Sequence, residues 1–368
     1  MRVTFPHLGN IWVPMKTLLT ELRVDHVIPP PNSRRTLTIA VKYSPEGLCL
    51  PFKLTLGNFA EALEMGADTL LQAGGAGICR LGRYARTQEV ILQDMGYQFE
   101  MLTAGVSEKK LQGIMQLFKR VSGGAPWGKI ISALRFALAK LNTLDEIERE
   151  VLRVRAREKQ KGQATALFRQ ALAAVDGAGD FEALKTVKLD YLEKLRAVPM
   201  GEEEPLLVGL MGEFYVVLEP FSNLDVEIEL GKLGVEVRRS LFISEWTRFS
   251  LFLNPLGINE KKRLQIAARP YLKRDVGGDG WESVGEKVLH SHQYHGLVHL
   301  APFTCMPEII AQNIMPSVRE EIPVLTVLCD EQMGKQGLIT RLEAFVDLLK
   351  RRRTSQRQKA QVQKVGVH

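Results

Sequence analysis

The sequence predicts an α/β fold, with two Rossmann- or flavodoxin-like parallel-sheet domains, a helical region between them and a cleft where the domains meet. Three observations predict it. Short apolar runs alternate with helical patterns over residues 1–106, the same alternation resumes over 201–349, and residues 107–200 carry no convincing strand pattern. Strand and helix in alternation give a parallel sheet with helices packed on its faces.

In the first region, residues 3–5 read as a strand, 11–22 have helical spacing, and 24–28 read as a second strand ended by Pro29-Pro30-Pro31. A helix is expected over 52–65, because Pro51 suits a first turn, where its missing N–H costs nothing. A strand over 68–72, a glycine-rich turn, a helix over 81–95 and a strand over 97–102 follow. In the middle region, the densely charged stretch 144–161 and the helical stretch 168–195 are expected to form a solvated pair, since charge runs usually face water. Gly201-Glu202-Glu203-Glu204-Pro205 reads as a linker. Beyond it, strands are expected at 206–210, 235–241, 297–300 and 324–328, and helices at 223–233, 307–314 and 339–349. Residues 350–368 read as a basic, flexible tail.

Hydrophobic residues make up 45% and charged residues 25%, the balance of a globular chain. No apolar run reaches the length of a bilayer span. The opening Met1-Arg2-Val3-Thr4-Phe5-Pro6 lacks the apolar core of a signal peptide. A cytoplasmic protein without a membrane partner is therefore expected. The net charge of +7 draws heavily on the stretch from Lys350 onward. Aromatic residues do not interleave with that stretch, so a stacking surface for nucleic acid is not indicated.

Four cysteines, Cys49, Cys79, Cys305 and Cys329, carry the functional argument. In a reducing compartment they are not expected as disulfides. None forms a C-x-x-C pair, so zinc-ribbon and thioredoxin readings fail on spacing. Cys49 precedes Pro51 and its helix. Cys79 follows Gly74-Gly75-Ala76-Gly77-Ile78, Cys305 lies between a strand and Pro307, and Cys329 ends the last strand. Strand C-termini and helix N-termini share one edge of an open α/β sheet. Helix N-termini favour thiolates and anionic groups. The backbone at Gly74, Gly75 and Gly77 could approach cluster sulfides closely. Soft thiolates select iron–sulfur clusters, zinc or copper(I). On the residues alone, four unrelated buried thiols remain the competing reading.

Five strings then share a pattern. They are Cys49-Leu50-Pro51-Phe52-Lys53, Gly66-Ala67-Asp68-Thr69 running on to Gly77-Ile78-Cys79-Arg80, Gly212-Glu213-Phe214-Tyr215, Pro302-Phe303-Thr304-Cys305-Met306-Pro307-Glu308, and Gly337-Leu338-Ile339-Thr340-Arg341-Leu342-Glu343-Ala344-Phe345. In this order they resemble the 2-hydroxyacyl-CoA dehydratase and benzoyl-CoA reductase superfamily, in its "CoA protein activase" branch, to which double-cubane cluster proteins are related. The resemblance implies a 4Fe-4S cluster between domains, held mainly by Cys49, Cys79 and Cys305, with one iron open. It also implies an ATP-dependent iron–sulfur activator as electron donor, an acyl-CoA reduced to a ketyl radical, and a homo- or hetero-oligomer. Cys329 departs from the family pattern. It is either a fourth ligand, which would make a closed electron carrier or assembly partner, or a buried thiol. Asp279, in the loop Gly277-Gly278-Asp279-Gly280, stands where related sequences often carry histidine. No G-x-x-x-x-G-K-[ST] occurs, so the chain is expected to receive electrons rather than hydrolyse ATP.

Lys53 and Glu308 are the candidate catalytic groups. Lys53, like Arg341, could neutralise the cluster or grip a phosphate, and Glu308 could serve as an acid–base group. Capping and ion pairing are the alternatives for both, and for Glu213, Asp330 and Glu331. His290, His292, His295 and His299 crowd together in sequence and would suit zinc or iron only if they converge. A zinc-binding α/β protein is the remaining alternative.

Overall fold

Two all-parallel sheets organise the chain in a computed structural model that describes residues 1–74, 78–104, 110–239, 241–248 and 261–365. The first sheet contains β1 (Val3–Thr4), β2 (Thr69–Ala73) and β3 (Glu100–Ala104), in that order. The second contains β4 (Leu206–Gly212), β5 (Val235–Arg239), β6 (Gly296–Pro302) and β7 (Val324–Cys329), in the order β5-β4-β6-β7. β6 is buried along its whole length, as a central parallel strand covered on both faces must be. The expected strand over 24–28 contributes one isolated bridge, His26 to Val3. The three prolines that follow cannot donate to a ladder.

The helices, in chain order, are α1 (Trp12–Glu21), α2 (Arg34–Tyr43), α3 (Leu50–Glu64), α4 (Tyr84–Asp94), α5 (Lys110–Val121), α6 (Trp127–Arg157), α7 (Gln163–Gly177), α8 (Phe181–Arg196), α9 (Phe214–Leu218), α10 (Pro220–Asn223), α11 (Val226–Lys232), α12 (Ile243–Thr247), α13 (Lys262–Ala268), α14 (Gly280–His290), α15 (Met306–Ile314) and α16 (Lys335–Val365). None of the described helices is long and apolar enough to cross a membrane. α2 is capped by Ser33, whose hydroxyl accepts from the Thr36 amide while the Thr36 hydroxyl accepts from the Ser33 amide. α2 lies so close to α3 that a Cβ on Gly57 would stand 2.2 Å from the Thr36 carbonyl oxygen. α16 runs on to Val365, so the basic stretch described up to that residue is helical rather than a loose tail.

The 31-residue α6 corrects the expectation of a solvated charged pair. It packs against α1, α7 and α8 and also against β5 and α11. Its apolar stripe includes Leu144, Ile147, Val151 and Val154, all fully buried. Among the charges between them, Asp145 is buried and Glu148 half-buried, each with partners, while Glu146 and Arg149 face water. Arg239 of β5 donates to Glu148 at 2.7 Å and to Glu227 at 3.0 Å. Arg157 pairs with Glu236, and Asp145 accepts from the Ser244 amide at 2.8 Å. Charge spacing in the sequence marks a helix here, but which face meets water depends on partners about a hundred residues away.

Candidate functional site

Three of the four cysteines occupy the same local position: each is the residue before a helical turn. Cys49 precedes α3, Cys305 precedes α15, and Cys79 precedes a 3-10 turn over Arg80–Arg83. Proline sits at the start of both α helices, where a fixed φ suits the first turn. All three cysteines line one cavity of about 290 Å³, together with Glu213, Tyr84 and Pro302. Cys79 and Cys305 follow strands β2 and β6, and Glu213 follows β4. The cavity therefore lies past the carboxyl ends of both parallel sheets, the usual ligand position in such folds.

Arg80 connects the three cysteine loops. Its guanidinium donates to the Gly47 carbonyl, two residues before Cys49, at 2.5 Å. It also donates to the Thr304 carbonyl and, at 3.3 Å, to the Thr304 hydroxyl, immediately before Cys305. Thr304 has φ +65°, a left-handed conformation that costs a non-glycine residue about 1–2 kcal/mol. Cys49 Sγ lies 2.7 Å from the Tyr84 hydroxyl, and Tyr84 stacks edge-on against Phe52. The sequence strings include Arg80 but give no sign of this role, because its partners lie 33 and 224 residues away.

The thiols are not activated as the helix N-termini suggested. Burial pushes Cys79 up to about 11, with Glu213, Cys49 and Asp279 adding to the effect. Burial raises Cys305 further, with Glu213 and Glu308 adding, and it also raises Cys49, against the Tyr84 hydrogen bond. Desolvation of three neighbouring thiolates outweighs the helix dipoles, so the metal-free site holds neutral thiols. A bound cation would reverse that balance, because metal ligation favours deprotonated sulfur.

Glu213 is the second proton-bearing feature of the wall. It caps α9, accepting from the Val216 amide at 3.1 Å. Burial, with the Asp279 carboxylate adding, raises it to about 8, against the backbone amides of Val216 and Tyr215. Asp279 itself directly precedes α14, but its side chain turns away to accept from the Phe214 amide at 3.1 Å and to pair with Lys261 at 2.7 Å. An acid whose pKa is raised from 4.5 to about 8 on folding contributes stability that is present at low pH. That stability falls away as pH rises between those values. Glu213→Gln should therefore lose less stability than the parent between pH 4.5 and 8, measured as Tm across that range. Equal slopes would contradict the assignment.

The other candidates sit elsewhere. Lys53 is buried outside the cavity and bonds the Glu46 carbonyl at 3.2 Å and Glu331 at 2.8 Å, tying α3 to the turn after β7. Glu308 is fully buried, accepts from Ser283 at 2.8 Å and pairs with His299 at 2.7 Å, leaving Oε1 without a partner among the described residues. Cys329 is fully buried in the core, beside Pro302 in the β6–β7 register, and does not line the cavity. Gly74 is half-buried and outside the cavity wall, while Gly75 and Gly77 lie outside the described residues.

The four histidines do not converge. His299 is in β6, His290 faces Glu286 at 3.4 Å, and His295 accepts from the Leu207 amide at 3.0 Å. Among the described residues, no three histidine, cysteine or acidic side chains stand close enough to hold a single metal ion. Neither the models of known protein families nor the curated proteins contain a match to this chain.

Proposed function

We propose that Cys49, Cys79 and Cys305 hold a 4Fe-4S cluster, and that the chain uses low-potential electrons for reductive chemistry on a substrate in the adjoining cavity. The observation that carries this reading is the convergence of three helix-leading thiols, Cys49 and Cys305 buried and Cys79 half-buried, on one cavity at the sheets' carboxyl edge. Thiolates that bind separate irons of a cluster need not be close enough to share one ion. Cys329, enclosed in the core, is not available at this wall as a fourth thiolate. That favours the substrate-accessible form over a closed electron carrier.

When bound, such a cluster supplies one-electron reduction and a Lewis-acid iron. The chain's own residues do the rest. Arg80 sets the spacing of the cysteine loops and brings positive charge beside the thiols. Glu213, protonated at neutral pH, can deliver a proton to a leaving hydroxyl or a reduced carbon, and its raised pKa suits that role. The apolar walls exclude water from reactive species. In this reading an ATP-dependent iron–sulfur activator donates the electrons, the substrate is an acyl thioester such as an acyl-CoA, and the working form is an oligomer.

Electron paramagnetic resonance of protein purified without oxygen and reduced with dithionite tests the proposal. A signal from a reduced cluster that shifts when an acyl thioester is added is expected. Its absence from protein that retains no iron would overturn the cluster assignment. An iron-bearing signal indifferent to any ligand would point to the carrier form.

A further inference from the structure

The cavity continues away from the thiols, and among the described residues that part of its wall is apolar. Three helices line it, and each contributes the same spacing: Met15, Leu18, Leu19 and Leu22 at the α1 end, Ile114, Leu117, Phe118 and Val121 from α5, and Leu134, Ala137, Leu138 and Leu141 from α6. Positions i, i+3, i+4 and i+7 form one stripe of a helix, the stripe that normally packs against a partner. Here residues of the three stripes pack into one apolar cluster and still leave a common space between them. Leu18, Leu22, Val121 and Ala137 are each less than 10% exposed, so this part of the wall is buried, while the cavity as a whole is partly open. An empty apolar void forfeits dispersion contacts along its whole wall, and voids of this kind stay dry and take up apolar ligands.

Among the described residues, the polar groups in the wall are on other elements. Cys49, Cys79, Cys305 and Glu213 form one group. Thr55 and Gln72 are engaged with Gln88. The Thr247 hydroxyl, at the end of α12, is buried and has no hydrogen-bond partner among the described residues. It offers a donor to a ligand's oxygen.

From this division we infer that the cavity binds a straight aliphatic chain, with its carboxyl-derived head toward the thiols and Glu213 and its tail between α1, α5 and α6. The ligand class is a fatty acid or fatty acyl ester, rather than a short or doubly charged acid. That this chain belongs to the substrate rests on the function proposed above; that the cavity takes an alkyl chain does not.

Calorimetric titration with saturated fatty acids from butanoate to hexadecanoate tests it, on metal-free and on iron-reconstituted protein. Affinity should rise roughly fourfold per added methylene until the cavity is filled, and then level off. Ala137→Phe and Leu134→Trp, which place bulk in the tail region, should weaken dodecanoate binding at least tenfold. Leu18→Phe is the milder companion if either fails to fold. Leu189→Trp, on an exposed surface, should leave binding unchanged. No saturable binding at any length, affinity independent of length, or filling variants that bind as the parent does would each overturn the inference. Alkyl binding by protein that never retains iron would keep this inference and remove the cluster. Iron retention without alkyl binding would do the reverse.

Discussion

Replacing Arg239 with methionine is expected to lower the unfolding free energy by about 3–5 kcal/mol, the usual cost of removing one partner from a buried ionic network. Arg239 sits in β5 with its side chain 3% exposed, bonded to Glu148 of α6 and Glu227 of α11. Its guanidinium also lies 4.3 Å from the Phe242 ring centroid. Without it, Glu148 and Glu227 lose their bonded cation and keep only the influence of Arg155, and the neighbouring Asp145, which burial and Glu148 already raise to about 6, rises further. Denaturant unfolding would measure the loss. Adding Glu148→Gln and Glu227→Gln to Arg239→Met should recover part of it, because the uncompensated charges go. A loss below about 1 kcal/mol would mean that the network is not what fixes α6 against the second sheet.

Arg80→Ala carries the second large effect, on the site rather than on the fold. The loops before Cys49 and Cys305 lose the group that bonds both, and Thr304 loses a contact that offsets its left-handed backbone. Groups that orient metal ligands without touching the metal are typically worth 10–100-fold in metal affinity. Iron release to a chelator should accelerate by about that factor, with Tm nearly unchanged. Arg80→Lys should recover little, since an ammonium cannot reproduce the forked contact to Gly47 and Thr304. Release at the parent rate would show that the three loops hold their spacing without Arg80.

The strands of both sheets were legible because each is a short apolar run between helical patterns, and the α/β class follows from that alternation. Pro51 and Pro307 made two of the cysteine positions legible, since proline suits the first turn of a helix and each cysteine stands two residues before it, as the extended residue that leads the helix. Local signals stop there. The helix α2 was not among the expected elements: it follows three prolines, and its local signal is the cap formed by Ser33 and Thr36. The pairing of Glu148 and Arg157 in α6 depends on Arg239 and Glu236, and the role of Arg80 on Thr304, all remote in sequence. Lys53 and Glu308 were chosen for charge beside a motif. Burial turned both toward protein partners, while Glu213 in the same strings reached the cavity wall. Side-chain direction at a strand end is set by the packing of the next helix, which no local pattern records.

Iron and acid-labile sulfide per chain, determined on protein purified without oxygen and on the Cys49→Ser, Cys79→Ser, Cys305→Ser and Cys329→Ser variants, test the central claim most directly. About four of each per chain, the content of one 4Fe-4S cluster, are predicted for the parent. Both should fall away in the first three variants and persist in Cys329→Ser. Zinc in place of iron, no metal at all, or equal loss in all four variants would contradict a three-thiolate cluster at this cavity.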